Sequence, residues 1–477
     1  MRTLLEKYKS LSPVAKAPIW YAFCSILQNG INFLTLPVFT GLLTTEQYGL
    51  FTVYQSWMAI LVIFTTLNLQ YGGFNNAMVK YEQKRDEYIA SMQGLVLLLN
   101  FGFLLLYLLF HRQWNGMTGL STVIMLAMFV EMTFTPALGF WSGKKRFEYK
   151  YREVIAITVA MSFANPVISV IAVMLSEDKG VVKVVAAALV NAAFCFGVFI
   201  HNQHRGRKLF VKEYWKYALS FNLPLIPYYL SQMIFNQSDR IMINNMVGPD
   251  KAAIYGVVYS CSVMIVFVIN AINNAFVPWT YEQLGRKHYK ELAKVSNALS
   301  VFIGAVLLAV MLAAPEIIRL MTPAEYYEGI WVMPPIVCSL FFLFQAQLFI
   351  NVEFYEEKKK YLVLGSVFSA VLNVGLNYWL IPIFGYMVTG YTTLAAYVVF
   401  AAANYYFMRR IHKEAKVSVY DMRFLIFFSV VMLAASGVIL MSYYSVWLRA
   451  ALLMGMFVIG FVFRKKLAGI IQNIRKK

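Results

Sequence analysis

The chain has 477 residues, 60% hydrophobic and 16% aromatic, with only 14% charged and a mean hydropathy of +0.61. A soluble protein of this length needs far more polar surface to cover its core, so a water-soluble globular fold is excluded. The net charge of +19 does not point to nucleic acid, because the basic residues lie in short stretches between apolar segments and no soluble basic domain carries them.

A helix needs roughly 20 apolar residues to cross the hydrocarbon core of a membrane. Stretches of that kind recur along almost the whole chain. The first predicted span, 17–42, follows Arg2, Lys7, Lys9 and Lys16 and carries Gln28, Asn29 and Asn32. The second, 48–70, carries Gln55 and runs into Lys80, Lys84 and Arg85. The third is 88–110. The fourth, 118–141, holds Glu131 near its middle and ends at Lys144, Lys145 and Arg146. Spans 152–175 and 182–201 follow, then a basic loop from Arg205 to Lys216. The seventh, 217–246, places Asp239 and Arg240 in its outer third. The eighth, 252–278, carries Asn270, Asn273 and Asn274 and leads to Arg286, Lys287 and Lys290. Spans 295–315 and 329–352 precede Lys358, Lys359 and Lys360. Spans 361–382 and 387–408 precede Arg409, Arg410, Lys413 and Lys416. The last two are 424–442 and 445–463, with a basic tail after them.

The reading is therefore all-α and polytopic, with about fourteen transmembrane helices. Most of the 42 basic residues fall in alternate loops. That asymmetry orients both termini toward the cytoplasm. Trp20, Tyr48, Tyr88, Trp141 and Tyr217 sit near span ends, where an interfacial belt belongs. No cleavable signal peptide is expected, because the first apolar segment is too long. Cys24, Cys195, Cys261 and Cys338 are scattered inside spans, so neither a disulfide framework nor a zinc site is expected. No GxxxxGK[ST] loop is present, and no cofactor is expected.

Asn75-Asn76-Ala77 followed by Tyr81-Glu82-Gln83 is echoed by Asn273-Asn274-Ala275 and Tyr281-Glu282-Gln283. Six spans precede Arg205 and six follow Lys216. An even number per half makes the halves parallel repeats, a common transporter plan. The expected division is a six-helix lobe over 1–205, a second over 206–415, and two further helices with a basic tail over 416–477.

Charge inside a membrane costs from about 2.5 to well over 10 kcal/mol, which makes each such residue a functional hypothesis. Arg240 suits a diphosphate or an acidic sugar, or else snorkels to the surface beside Asp239. Glu131 either takes a coupling ion, H⁺ or Na⁺, or holds a neighbouring helix; buried and unpaired, it would carry a proton. Asn29, Asn32, Gln55, Asn270 and Asn273 are read as lining a substrate cavity, since amides both donate to and accept from sugar hydroxyls. Amides also glue membrane helices together. Asn29 and Asn32 share a helix face, as do Asn270 and Asn273. Lys183 is a further interior cation, with Lys80 and Lys144 nearer the cytoplasm.

Leu36-Pro37-Val38-Phe39, the run Leu42-Leu43-Thr44-Thr45-Glu46-Gln47-Tyr48-Gly49, Arg146-Phe147-Glu148-Tyr149 and Gln237-Ser238-Asp239-Arg240 occur in this order. In order and spacing they resemble the polysaccharide flippases of the multidrug/oligosaccharidyl-lipid/polysaccharide exporter superfamily. The resemblance implies a bacterial inner-membrane flippase for an undecaprenyl-diphosphate-linked oligosaccharide, feeding O-antigen, capsule or another exopolysaccharide. It implies alternating access, no enzymatic activity, and partners such as a glycan polymerase and chain-length machinery. Two readings compete with it. An ion-coupled multidrug or metabolite exporter of the same superfamily fits Glu131. A membrane-embedded glycan polymerase or acyltransferase fits less well, because the loops are short and His111, His201, His204, His288 and His412 all lie in or beside them.

Overall fold

The computed structural model describes residues 13–71, 73–148, 150–356, 359–411 and 418–455. Helices dominate, and no strand occurs among the described residues. The first half comprises α1 (Pro13–Leu42), α2 (Thr45–Thr66), α3 (Gly73–Lys80), α4 (Arg85–Leu109), α5 (His111–Thr118), α6 (Thr122–Phe147), α7 (Tyr151–Met174) and α8 (Lys179–Gly206). There follow α9 (Lys212–Asn222), α10 (Ile226–Met246), α11 (Pro249–Val263), α12 (Val266–Gly285), α13 (Tyr289–Leu312) and α14 (Ala314–Met321). The series closes with α15 (Met333–Tyr355), α16 (Lys359–Phe384), α17 (Val388–Ile411), α18 (Met422–Ser442) and α19 (Val446–Gly455). Among the described residues, ten helices are long and apolar enough to cross a membrane. This is a multi-pass membrane protein. The last predicted span, 445–463, is described only as far as Gly455.

Most predicted spans coincide with a helix; three are corrected. The span 48–70 stops at Thr66, because Leu67 and Asn68 adopt left-handed backbone angles, φ 48° and 49°. That conformation ends an α-helix. The span 217–246 is two helices joined by a 3₁₀ turn at Leu223–Leu225. Pro224 and Pro227 lack the N–H groups that would continue the ladder. The span 252–278 is also two helices, separated at Met264–Ile265.

Packing divides the chain into two compact units, Met1–Ala253 and Ile254–Lys477. In unit 1, α8 is the hub and packs on α2, α4, α6 and α7. Its buried Ala187, Ala188 and Ala192 let backbones approach closely, the usual device where no hydrophobic effect drives helices together. Gly94 of α4 shows the same need: a Cβ there would lie 1.9 Å from the Leu209 carbonyl oxygen. Phe74, Met78, Tyr88, Met92, Phe140 and Tyr214 form a buried apolar cluster between α3, α4, α6 and α9. In unit 2, α15 is the central, most buried helix and packs on α12, α13, α16, α17 and α18.

The motifs have local structural causes. Thr44 Oγ1 accepts from the Gln47 N–H at 3.2 Å, and Gln47 Oε1 accepts from the Thr44 N–H at 3.1 Å. This capping box satisfies two donors at the start of α2. Gly49, at the end of the same motif, admits the Pro249 carbonyl, whose oxygen would stand 2.1 Å from a Cβ. In the Arg146–Tyr149 motif, Glu148 meets Lys144 at 3.3 Å, Lys150 at 3.4 Å and Lys145 at 4.0 Å. Tyr149 lies outside the described residues. The two echoing stretches fold differently: the first makes α3 and a 3₁₀ turn, and the second lies within α12.

Candidate functional site

Three successive residues of α2 serve three purposes, because neighbouring helix positions point about 100° apart. Tyr54 is buried and its hydroxyl donates to Glu131 Oε2 at 2.5 Å. Gln55 is exposed. Ser56 is buried and its hydroxyl donates to Gln237 Oε1 of α10 at 3.3 Å. The same Gln237 oxygen accepts from Arg240 Nη1 at 2.5 Å. Gln237 therefore fixes the guanidinium one helical turn away and ties α10 to α2 in one contact. Asp239 is buried and Arg240 is half-buried.

Glu131 of α6 is 8% exposed and is not unpaired. Besides Tyr54, it accepts from Asn191 Nδ2 at 2.7 Å. Asn191 Oδ1 in turn accepts from Asn165 Nδ2 at 2.8 Å. A chain of four polar side chains thus crosses α2, α6, α8 and α7 inside unit 1. With two donors on its carboxylate, Glu131 can hold either a charge or a proton within the same geometry.

The predicted interior cations are already engaged. Lys183 is 3% exposed, and its ammonium lies 3.6 Å from the centroid of the Phe39 ring and 4.7 Å from that of Phe51. Ring quadrupoles stabilise that charge. Lys144 meets Asp86 at 2.5 Å as well as Glu148. Lys80 lies over the rings of Tyr81 and Tyr217.

In unit 2 the amide face of α12 is real and has a partner. Asn270 Oδ1 accepts from Gln347 Nε2 at 3.0 Å, and Asn273 Oδ1 accepts from Asn351 Nδ2 at 2.8 Å. Asn270 is exposed and Asn273 half-buried. Two rungs one turn apart join α12 to α15. Asn29 is half-buried in α1, and the side chain of Asn32 lies outside the described residues.

The structure thus brings Arg240 to Ser56 through Gln237, and brings Asn270 and Asn273 onto one amide ladder. Gln55 stays exposed on α2, and Asn29 is half-buried on α1. Sequence reading missed Tyr54, Asn165 and Asn191 around Glu131, and Gln347 and Asn351 opposite the α12 amides. A signal for the last two was present, since Gln347 and Asn351 are four residues apart and share a helix face.

α10 is not among the ten helices apolar enough to span, although it runs from Ile226 to Met246 in a membrane protein. Gln232, Asn236, Gln237, Asp239 and Arg240 dilute its apolar residues. Polar groups at membrane depth persist where they meet protein or a wet pathway. Residues 14–283 match the family described as polysaccharide biosynthesis protein. The chain belongs to that family. Residues 224–379 also match the MatE family. Family members are exporters of the multidrug/oligosaccharidyl-lipid/polysaccharide superfamily, and a role in transport linked to polysaccharide biosynthesis follows.

Among relatives, "Lsg locus putative protein 1" of Haemophilus influenzae is 21% identical over 378 residues, covering 76% of this chain and 90% of that one. An "uncharacterized membrane protein" of the same organism is 24% identical over 356 residues, covering 72% and 85%. Among solved structures, the lipid II flippase MurJ in an inward closed conformation superposes with a TM-score of 0.70 at 12% identity, covering 94% of this chain and all of that one. An inward-facing multidrug resistance MATE family transporter superposes with a TM-score of 0.65 at 16% identity, covering 84% and 100%. These similarities establish the fold.

Proposed function

We propose that the chain flips an undecaprenyl-diphosphate-linked oligosaccharide from the cytoplasmic to the periplasmic leaflet by alternating access, without catalysing a covalent step. The observation that carries the reading is the family match across residues 14–283, which contains the polar helix α10. Arg240, oriented by Gln237, supplies a cation for a diphosphate or a sugar acid. The Asn270–Gln347 and Asn273–Asn351 pairs offer amide donors and acceptors for sugar hydroxyls, with Asn29, Asn32, Gln55 and Asp239 as further contacts. Glu131 is the coupling position, for H⁺ or Na⁺. The product feeds O-antigen, capsule or another exopolysaccharide, handed on to a polymerase and its chain-length machinery. The protein resides in a bacterial inner membrane with both termini in the cytoplasm, and about fourteen helices cross. The MatE match over 224–379 favours one second reading, an ion-coupled multidrug or metabolite exporter.

Deletion of the gene, followed by mass analysis of lipid-linked sugars, separates the two. Flipping predicts that a lipid-linked oligosaccharide accumulates on the cytoplasmic leaflet and that surface glycan is lost. Unchanged lipid-linked sugars with increased drug sensitivity would establish the exporter instead.

A further inference from the structure

Unit 2 holds a buried acid of a different kind from Glu131. Glu353 lies in the last turn of α15, is 0% exposed, and neither carboxyl oxygen has a hydrogen-bond partner among the described residues. Glu131 has two donors; Glu353 has none. Positions 351 and 353 of a helix point about 200° apart, so Glu353 faces away from the Asn351–Asn273 rung. One turn before it on the same face, Phe349 packs on Tyr405 of α17 and on Tyr420. The Tyr420 hydroxyl is committed elsewhere, donating to the Leu348 carbonyl at 2.9 Å.

Among the described residues, no charged side chain pairs with this carboxyl. α12 brings Tyr281, which packs on Tyr355, and the exposed pair Glu282–Arg286. α13 begins with Tyr289 and the exposed Lys290, Glu291 and Lys294. α16 brings Tyr361, stacked on Phe407 of α17, and the side chains of Lys359 and Lys360 lie outside the described residues. α17 ends in exposed Arg409 and Arg410, and α18 opens with exposed Asp421 and Arg423. The 3₁₀ segment Ala324–Val332 packs at the far end of α15.

An ionised carboxylate without water or donors costs many kcal/mol, and such groups become neutral instead. A proton or a metal cation can neutralise one. A hard metal cation demands several oxygen ligands around it. Among the described residues no group of three or more His, Cys, Asp or Glu could hold a metal. A proton needs no further ligand.

We propose that Glu353 is a proton-binding site within unit 2, loaded while α15 is packed against α17 and emptied when that packing admits water. The step is a simple dissociation: the carboxyl O–H breaks, the proton passes to water, and the carboxylate keeps the electron pair. Release and hydration are one event, so the α15–α17 contact opens as the proton leaves. Its use in driving export rests on the transport reading above; the protonation does not.

The test is infrared difference spectroscopy of the full-length protein in phosphatidylethanolamine–phosphatidylglycerol vesicles, titrated in pH. Wild type and Glu131→Gln should both show a protonated-carboxyl carbonyl band at neutral pH, and Glu353→Gln should lose it. If Glu353→Gln does not fold, Glu353→Asp should keep the band at a shifted position. A band unchanged in these Glu353 variants, or one removed by sodium at constant pH, overturns the site. In cells, Glu353→Gln should insert normally while its surface glycan output loses its response to the pH gradient. Loss of the band with glycan output and its gradient response unchanged would uphold the proton site and refute its link to glycan export.

Discussion

Replacing Tyr54 by Phe removes one oxygen and almost no volume, and the structure sets the size of the effect. The lost group donates at 2.5 Å to a buried carboxyl group that also accepts from Asn191 at 2.7 Å. A hydrogen bond to a charged group contributes about 1.5–3 kcal/mol, whereas one between neutral groups contributes about 1 kcal/mol. Measured couplings between polar side chains in membrane helices are smaller, about 0.6 kcal/mol on average. A domain of 150–250 residues loses roughly 2–4 °C in Tm per kcal/mol, so Tyr54→Phe should lower the Tm by about 3–12 °C if Glu131 is charged and by about 1–4 °C if it is protonated. Glu131→Gln keeps an acceptor for one donor, and the Tyr54 oxygen can accept from its new amide, so it should cost less than Tyr54→Phe. The assay is thermal unfolding of purified protein in detergent across the cycle of two single variants and the double variant. A coupling energy of zero would refute the claim that the two side chains form one buried unit.

Arg240→Ala should leave the protein inserted and abolish surface glycan; normal glycan by gel and mass analysis would remove Arg240 from the transport path. Glu131→Gln should blunt any dependence of glycan export on proton or sodium gradients, and an undiminished response in vesicles would exclude Glu131 as the coupling position. Gly49→Ala sets a Cβ 2.1 Å from the Pro249 carbonyl oxygen, a clash with rigid backbone that no rotamer relieves. Overpacking of this kind costs about 1–3 kcal/mol, and it should appear as a lowered Tm with Gly41→Ala, which has open space, as the unaffected control.

The helices were legible because a bilayer demands apolar runs of a minimum length, a constraint visible in sequence without any tertiary knowledge. The breaks were only half legible. Pro224 and Pro227 announce the joint between α9 and α10, but nothing in the composition of Leu67, or of Met264–Ile265, announces a turn there. The capping box at Thr44–Gln47 could be found by its spacing alone. Partnerships were the hidden part. Asn270 and Asn273 declared a polar face, yet which of the many amides would oppose it depends on how α12 and α15 dock. Glu353 escaped notice because it closes an apolar run just ahead of Lys358, where an acid reads as the start of a loop. Only packing shows that it is sealed inside.

The joint at Leu223–Leu225 separates two anchorages. α9 is fastened to α4, where Trp215 Nε1 donates to the Ser91 carbonyl at 2.9 Å and the Val211 N–H donates to Ser91 Oγ at 3.0 Å. α10 is fastened to α2 through Gln237 and Ser56. A continuous rod would transmit any tilt of one end to the other. A knuckle lacking two backbone donors does not, so the guanidinium-bearing segment need not follow a tilt of the helix fastened to α4.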